Sequence, residues 1–126
     1  MKKLKKNKHF LKNKKRHLKK ILGNLSKPRL SIYKSNKHIY SQLIDDINGH
    51  TLCSSSTTEK KKTKTLLVSK NENQLNLNFS YIIGQNLGKR AKNLNIQAVV
   101  FDRNYQLYHG KIKKLIEGLR GEGIIC

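Results

Sequence analysis

Cations, amides and flat rings crowd into one short stretch of this chain: Arg29, Lys34, Ser35, Asn36, Lys37, His38, Tyr40 and Gln42. Phosphates take cations, base edges take amides and hydroxyls, and unpaired bases take rings to stack on. A second set with the same mixture, Arg103, Tyr108, His109 and Lys111, lies near the C-terminus. Both sets suit a nucleic-acid ligand. The plainer alternative is a pair of solvated loops, with Asp102 and Arg103 paired to each other or capping the helix that follows.

Catalytic chemistry is poorly served. Asp45, Asp46 and Asp102 could in principle hold Mg²⁺ in a nuclease. Asp45 and Asp46 are neighbours, however, and neighbours on a strand point to opposite faces. They also open a turn, a common place for aspartate. The five histidines have no zinc spacing with Cys53 and Cys126. No Walker loop or nucleophile elbow is present. The expectation is a protein that is not an enzyme and holds neither metal nor cofactor.

Composition narrows the partner. The chain has 126 residues, with 28 basic and 7 acidic side chains and a net charge of +21. That much self-repulsion calls for a polyanion. The charge is uneven: residues 1–44 hold 15 of the basic residues and no acid. This predicts a basic arm over 1–27, partly disordered when free, and one globular domain over 28–126. Within the arm, Leu11, Leu18 and Leu22 could line one face of a helix once phosphate neutralises the lysines, with Gly23-Asn24 ending it. An anionic membrane surface is the weaker use, because that apolar face is thin. No apolar run approaches the roughly 20 residues of a membrane span. The N-terminus lacks the apolar core of a secretory signal. Cys53 reads as a small buried hydrophobe and Cys126 as a free thiol. Lysine outnumbers arginine 23 to 5 and there are 13 asparagines, which suggests an AT-rich genome.

The elements that must position these residues are legible from their periods. Arg29–Tyr33, His38–Ile44 and His50–Ser54 read as three short strands of an antiparallel meander. Asn48-Gly49 is a hairpin signal, since both residues tolerate positive φ. Residues 57–76 are polar, without a confident element. From Asn78 to Leu94, apolar residues recur at helical steps, and Ser80, Gly84 and Gly88 form a stripe of small residues suited to close approach to a sheet. Ile96–Phe101 is a nearly continuous apolar run, which predicts a strand buried on both faces and parallel to a neighbour. Lys111–Leu119 reads as a last helix, ended by Gly121 and Gly123. The fold class is therefore α/β (α+β): an antiparallel three-stranded meander plus one parallel strand, packed by two helices, with a basic N-terminal arm.

Several segments carry a resemblance. They are Pro28-Arg29-Leu30-Ser31, Ser35-Asn36-Lys37-His38-Ile39-Tyr40 with Gln42, Asp45-Asp46 with Gly49-His50-Thr51-Leu52, Gly88-Lys89-Arg90-Ala91, Val99-Val100-Phe101-Asp102-Arg103, and Leu107-Tyr108-His109-Gly110-Lys111. In order and spacing, from about Lys14 to the C-terminus, this resembles the L-eighteen family of large-subunit ribosomal proteins in its bacterial and plastid form. The resemblance implies a structural constituent of the large subunit that binds 5S rRNA and helps join it to the large rRNA in the central protuberance. It implies neighbouring proteins such as L-five as partners, and a ribosome of a plastid or of an AT-rich bacterium. It extends the RNA-facing set to Lys14, Lys15, Arg16, His17, Lys19 and Lys20. Two departures stand out: Tyr105 replaces a small turn former, and Gly118 and Gly121 replace helix formers, which predicts a fraying last helix.

Overall fold

Alternation builds the sheet. In β1 (Arg29–Lys34) Leu30 and Ile32 point inward, and in β2 (Ile39–Asp45) Ile39, Ser41, Leu43 and Asp45 do. With β3 (His50–Ser56) they form the expected meander, and a fourth strand, β4 (Val100–Asp102), lies parallel to β1. The strand order is β3-β2-β1-β4. A bulge between Leu43 and Ile44 shifts the β2–β3 register. The computed structural model describes residues 21–59, 72–104 and 106–126. The expectations for Lys14, Lys15, Arg16, His17, Lys19 and Lys20, for the arm helix, for most of the polar stretch and for Tyr105 lie outside the described residues.

Two helices cover one face of the sheet. α1 (Glu72–Asn93) begins earlier than its apolar spacing suggested, and α2 (Gly110–Gly121) follows β4. Ile83, Leu87 and Ala91 from α1 meet Ile112, Leu115, Ile116 and Leu119 from α2 and the inward strand residues in one core. Asn95 takes φ 59°, and the Ile96 N–H returns to the Ala91 carbonyl, so α1 stops in a left-handed cap. Gly123, at φ 83°, closes α2 in the same way.

Three expectations are corrected. The small-residue stripe of α1 faces α2, not the sheet. Gly84 lies against the backbone of Leu115 and Leu119, and Gly118 against that of Tyr81 and Gln85. Gly118 is therefore half of a backbone-to-backbone crossing, and α2 runs unbroken through it. Secondly, the strand within Ile96–Phe101 is parallel to its neighbour β1 as expected, but it is short and not buried on both faces. β4 has only three residues, all part-exposed, at the sheet's edge. Ile96 and Val99 are buried beside the C-terminal segment, where the Val99 N–H donates to the Ile125 carbonyl. Lastly, only Gly49 of the Asn48-Gly49 pair has positive φ. Asn48 instead donates its side-chain amide to Asp45 at 2.7 Å.

Arg90 of α1 reaches the outer side of β3. Its guanidinium donates to the Ser54 carbonyl and, at 3.0 and 2.6 Å, to the two carboxylate oxygens of Glu59. Glu59 in turn accepts the Ser56 N–H at 3.1 Å.

Candidate nucleic-acid interface

Strand direction gathers the two candidate sets. β1 and β4 are parallel, and β2 is antiparallel to both β1 and β3. The end of β1, the start of β2 and the end of β3 therefore share one edge of the molecule, and β4, which ends beside Ser31, runs toward it. α2 starts there as well. Carboxyl ends of strands are where α/β sheets commonly present ligand-binding groups.

The β1–β2 loop at this edge is held by its own bonds. The Ser35 N–H donates to the His38 carbonyl at 2.9 Å, and the His38 N–H donates to the Ser35 hydroxyl at 3.0 Å. The Thr57 hydroxyl lies 3.1 Å from His38 Nδ1 and accepts the Ile39 N–H at 3.2 Å. Across the gap, Lys111 Nζ donates to the Asn36 carbonyl at 3.2 Å. Segments 75 positions apart thus form one surface. A groove of about 190 Å³ runs between Lys37, His38, Thr57, Phe79 and Lys111. A second, of about 510 Å³, lies between Lys34, Asn36, His109 and Lys111.

The remaining candidates divide clearly. Tyr40 stands outward beside Tyr33 and His38, with ring centroids 6.1 and 6.4 Å away. Gln42 is exposed on the same open face of the sheet, opposite Ser31 and Ser54. Arg103 is exposed just past β4, and Tyr108 sets its ring edgewise to Phe101 at 6.2 Å. Arg29 stands apart, at the far end of β1, about 16 Å from Lys34 at the usual strand rise. Its guanidinium makes paired bonds of 2.8 Å to Asp46 and one of 3.3 Å to Asp102. Hydrogen bonding to Asp46, above all, raises its pKa further and keeps it charged. Arg29 therefore ties the hairpin base to the end of β4.

The acidic residues are engaged in the same way. Asp46 also accepts the Gly23 N–H at 2.8 Å, which fixes the chain's entry into the domain. Asp45 is buried. It accepts the Asn48 amide and the Ile47 N–H, and these bonds, the Asn48 one foremost, hold its carboxyl below the ordinary aspartate value of 3.8. Among the described residues no group of three or more His, Cys, Asp or Glu is placed to hold a metal ion. Burial pushes the Cys53 thiol up to about 11, which suits a packing residue rather than a nucleophile.

Sequence reasoning passed over Tyr33, Thr57, Phe79 and Ser80. The signal for Tyr33 was present: alternation sets it opposite to Leu30 and Ile32, and hairpin pairing sets it across from Tyr40. Thr57 and Ser80 carry no such signal, because their place at the groove depends on how α1 packs on the sheet.

Comparison with known proteins gives the family. A family model described as ribosomal L18 of archaea, bacteria, mitochondria and chloroplast matches residues 4–125. The chain belongs to the ribosomal L18 family. It is 46% identical over 110 residues to large ribosomal subunit protein uL18 of Aster yellows phytoplasma, covering 84% of this chain and 91% of that one. It is 42% identical over 122 residues to uL18 of Staphylococcus saprophyticus, covering 97% and 96%. It is 43% identical over 107 residues to uL18c of Gracilaria tenuistipitata var. liui, covering 84% and 96%. These L18 relatives are ribosomal proteins, not enzymes, and the carboxylate geometry agrees: Asp46 and Asp102 share an arginine.

Proposed function

We propose that this chain is a structural protein of the large ribosomal subunit that binds 5S rRNA at the strand-end surface. It helps attach that RNA to the large rRNA in the central protuberance, next to proteins such as L-five. The observation that carries the reading is the junction of Lys111 with Asn36, which joins both candidate sets into one cationic, amide-bearing edge. On this reading Lys34, Ser35, Asn36, Lys37, His38, His109 and Lys111 make the central contacts. Tyr40, Gln42, Arg103 and Tyr108 flank them, and Arg29 acts by holding the sheet. The arm, including Lys14, Lys15, Arg16, His17, Lys19 and Lys20, neutralises further phosphates. The lysine- and asparagine-rich composition supports a plastid ribosome. An AT-rich bacterium is the second reading, favoured by the 46% identity to the phytoplasma protein.

The test is competition at about 150 mM salt, near physiological ionic strength. The full chain selects 5S rRNA over tRNA and over duplex DNA of equal length. Equal competition by tRNA would replace this reading with a general basic nucleic-acid-binding protein.

A further inference from the structure

The segment that leads into β1 is held in place without hydrophobic burial. Leu22 and Leu25 are 59% and 65% exposed, and among the described residues every apolar member of the buried core lies at Leu30 or beyond. Polar bonds hold the segment instead. The Gly23 N–H donates to Asp46 Oδ2 at 2.8 Å, and the Asp46 N–H donates back to the Gly23 carbonyl at 3.1 Å. The same carboxylate grips Arg29 through both oxygens at 2.8 Å. Beside it, the Lys27 N–H donates to Asn24 Oδ1 at 2.6 Å and the Asn24 N–H to the Lys27 carbonyl at 3.1 Å, which closes residues 24–27 into a turn. Gly23 is buried, and a Cβ there would run into the Arg29 amide nitrogen and stand 2.7 Å from the Ile44 carbonyl oxygen. The joint therefore accepts only glycine. It lies at the hairpin base, just past the end of β2. The strand-end surface begins at the other end of that strand, about 20 Å away at the usual rise. On the N-terminal side of the joint, residues 1–20 hold 11 basic side chains and no acid.

We propose that Gly23 and Asp46 are positioning residues: their joint fixes where the cationic arm leaves the domain, so that its charges meet RNA beside the hairpin base rather than at the strand-end surface. The inference rests on the RNA-binding reading and adds two residues that act on RNA only through the arm. Two binding segments joined by a fixed root behave as a bivalent ligand, whose second contact forms at high effective concentration. Opening the joint frees the root, which must then be ordered again each time RNA binds. Affinity falls although every cation is still present.

A double-mutant cycle on the full chain, read as affinity for 5S rRNA, tests this. One change is Gly23→Ala, which opens the joint. The other replaces every Lys and Arg of residues 1–20 by glutamine, which keeps the arm and removes its charge. With the arm charged, Gly23→Ala weakens binding about 5- to 30-fold, the cost of ordering one backbone residue again. With the arm neutralised, Gly23→Ala changes nothing further. A loss of equal size in both backgrounds means that the joint only stabilises the domain, and it overturns the inference. So does a Gly23→Ala chain of undiminished affinity, or a neutralised arm that binds as tightly as the charged one. A second variant leaves the joint and the domain intact: Gly-Ser-Gly-Ser inserted between Lys20 and Ile21. It gives slack to the arm alone, so binding weakens by a similar factor while the thermal midpoint stays where it was. Unchanged affinity of this variant overturns the inference, and it decides the matter if Gly23→Ala does not fold by circular dichroism. If the unaltered chain binds no RNA, the broader reading falls and the joint's role with it; if it binds RNA and only the root variants fail, the broader reading stands alone.

Discussion

Arg29 shows how far a residue's type can mislead about its task. An arginine in a lysine-rich stretch reads as a phosphate ligand, yet its partners are Asp46 and Asp102, 17 and 73 positions away. Nothing in the local sequence announces such pairing, because it exists only once β4 lies beside β1. A guanidinium matches two carboxylates with a planar fork, and an ammonium does not. Arg29→Lys therefore lowers stability by about 1.5–3 kcal/mol, the range for hydrogen bonds to charged groups. Urea denaturation measures it, and a midpoint equal to that of the unaltered chain would show the clamp to be idle. Asp45 makes a second prediction. Its folded pKa lies below the unfolded value of 3.8, so its contribution is fully present above that value and is lost as pH falls through the lower, folded value. The urea midpoint holds steady from neutral pH down towards about 4 and declines below it. Asp45→Asn flattens the decline, and an unchanged acid limb in that variant would contradict the assignment.

At the scale of elements, the strands, helices and antiparallel meander were legible from their periods and turn signals, but the packing partners of the later elements were not. Alternation fixed β1 and β2 almost to the residue, because one face of each is buried. The apolar run before Asp102 suggested a strand buried on both faces, yet only its last residues pair with β1, and the rest pack against the C-terminal segment. The stripe of Gly84 and Gly88 declared a close approach without saying to what. The answer is α2, through Gly118, a glycine whose departure from the family pattern marked it as a weakness. Helix propensity predicts that Gly84→Ala and Gly118→Ala each stabilise by about 1 kcal/mol. The crossing predicts the reverse, since each added methyl would run into a backbone carbonyl of the other helix. Overpacking of this kind costs about 1–3 kcal/mol or more. Gly121→Ala meets only the hydroxyl end of the Tyr81 side chain at 3.3 Å and stays near neutral. Thermal unfolding of the three variants separates the accounts. If all three gain stability, propensity governs and the crossing has room to spare.

For the whole molecule, the candidate edge was half legible. Both sets of residues could be named from their chemistry, but their union depends on a parallel strand entering next to β1, which no short motif encodes. Charge distribution adds a division of labour. The globular edge supplies geometry, and the arm supplies a dense run of cations. Deleting residues 1–13 should weaken RNA binding and flatten its salt dependence while leaving the preference for 5S rRNA intact. Every phosphate that the arm no longer neutralises takes about 0.7–0.9 from the slope of log affinity against log salt. Titration of the truncated chain across a salt series gives that slope, and an unchanged value would mean the arm leaves this RNA untouched.

The clasp of Arg90 and Glu59 over β3 bears on a hazard common to open sheets. β3 is an outer strand whose run Cys53-Ser54-Ser55-Ser56 carries no charge. Unpaired backbone groups on such a strand can template the strand of another chain. Arg90 occupies the Ser54 carbonyl and Glu59 the Ser56 N–H, two of the groups an incoming strand would take. Both clasp residues are more than two-fifths exposed, so dissolved salt reaches the pair and weakens it. The salt that strips RNA from a basic protein therefore also loosens the guard on its sheet, and a chain parted from its polyanion in this way is the form most open to aggregation.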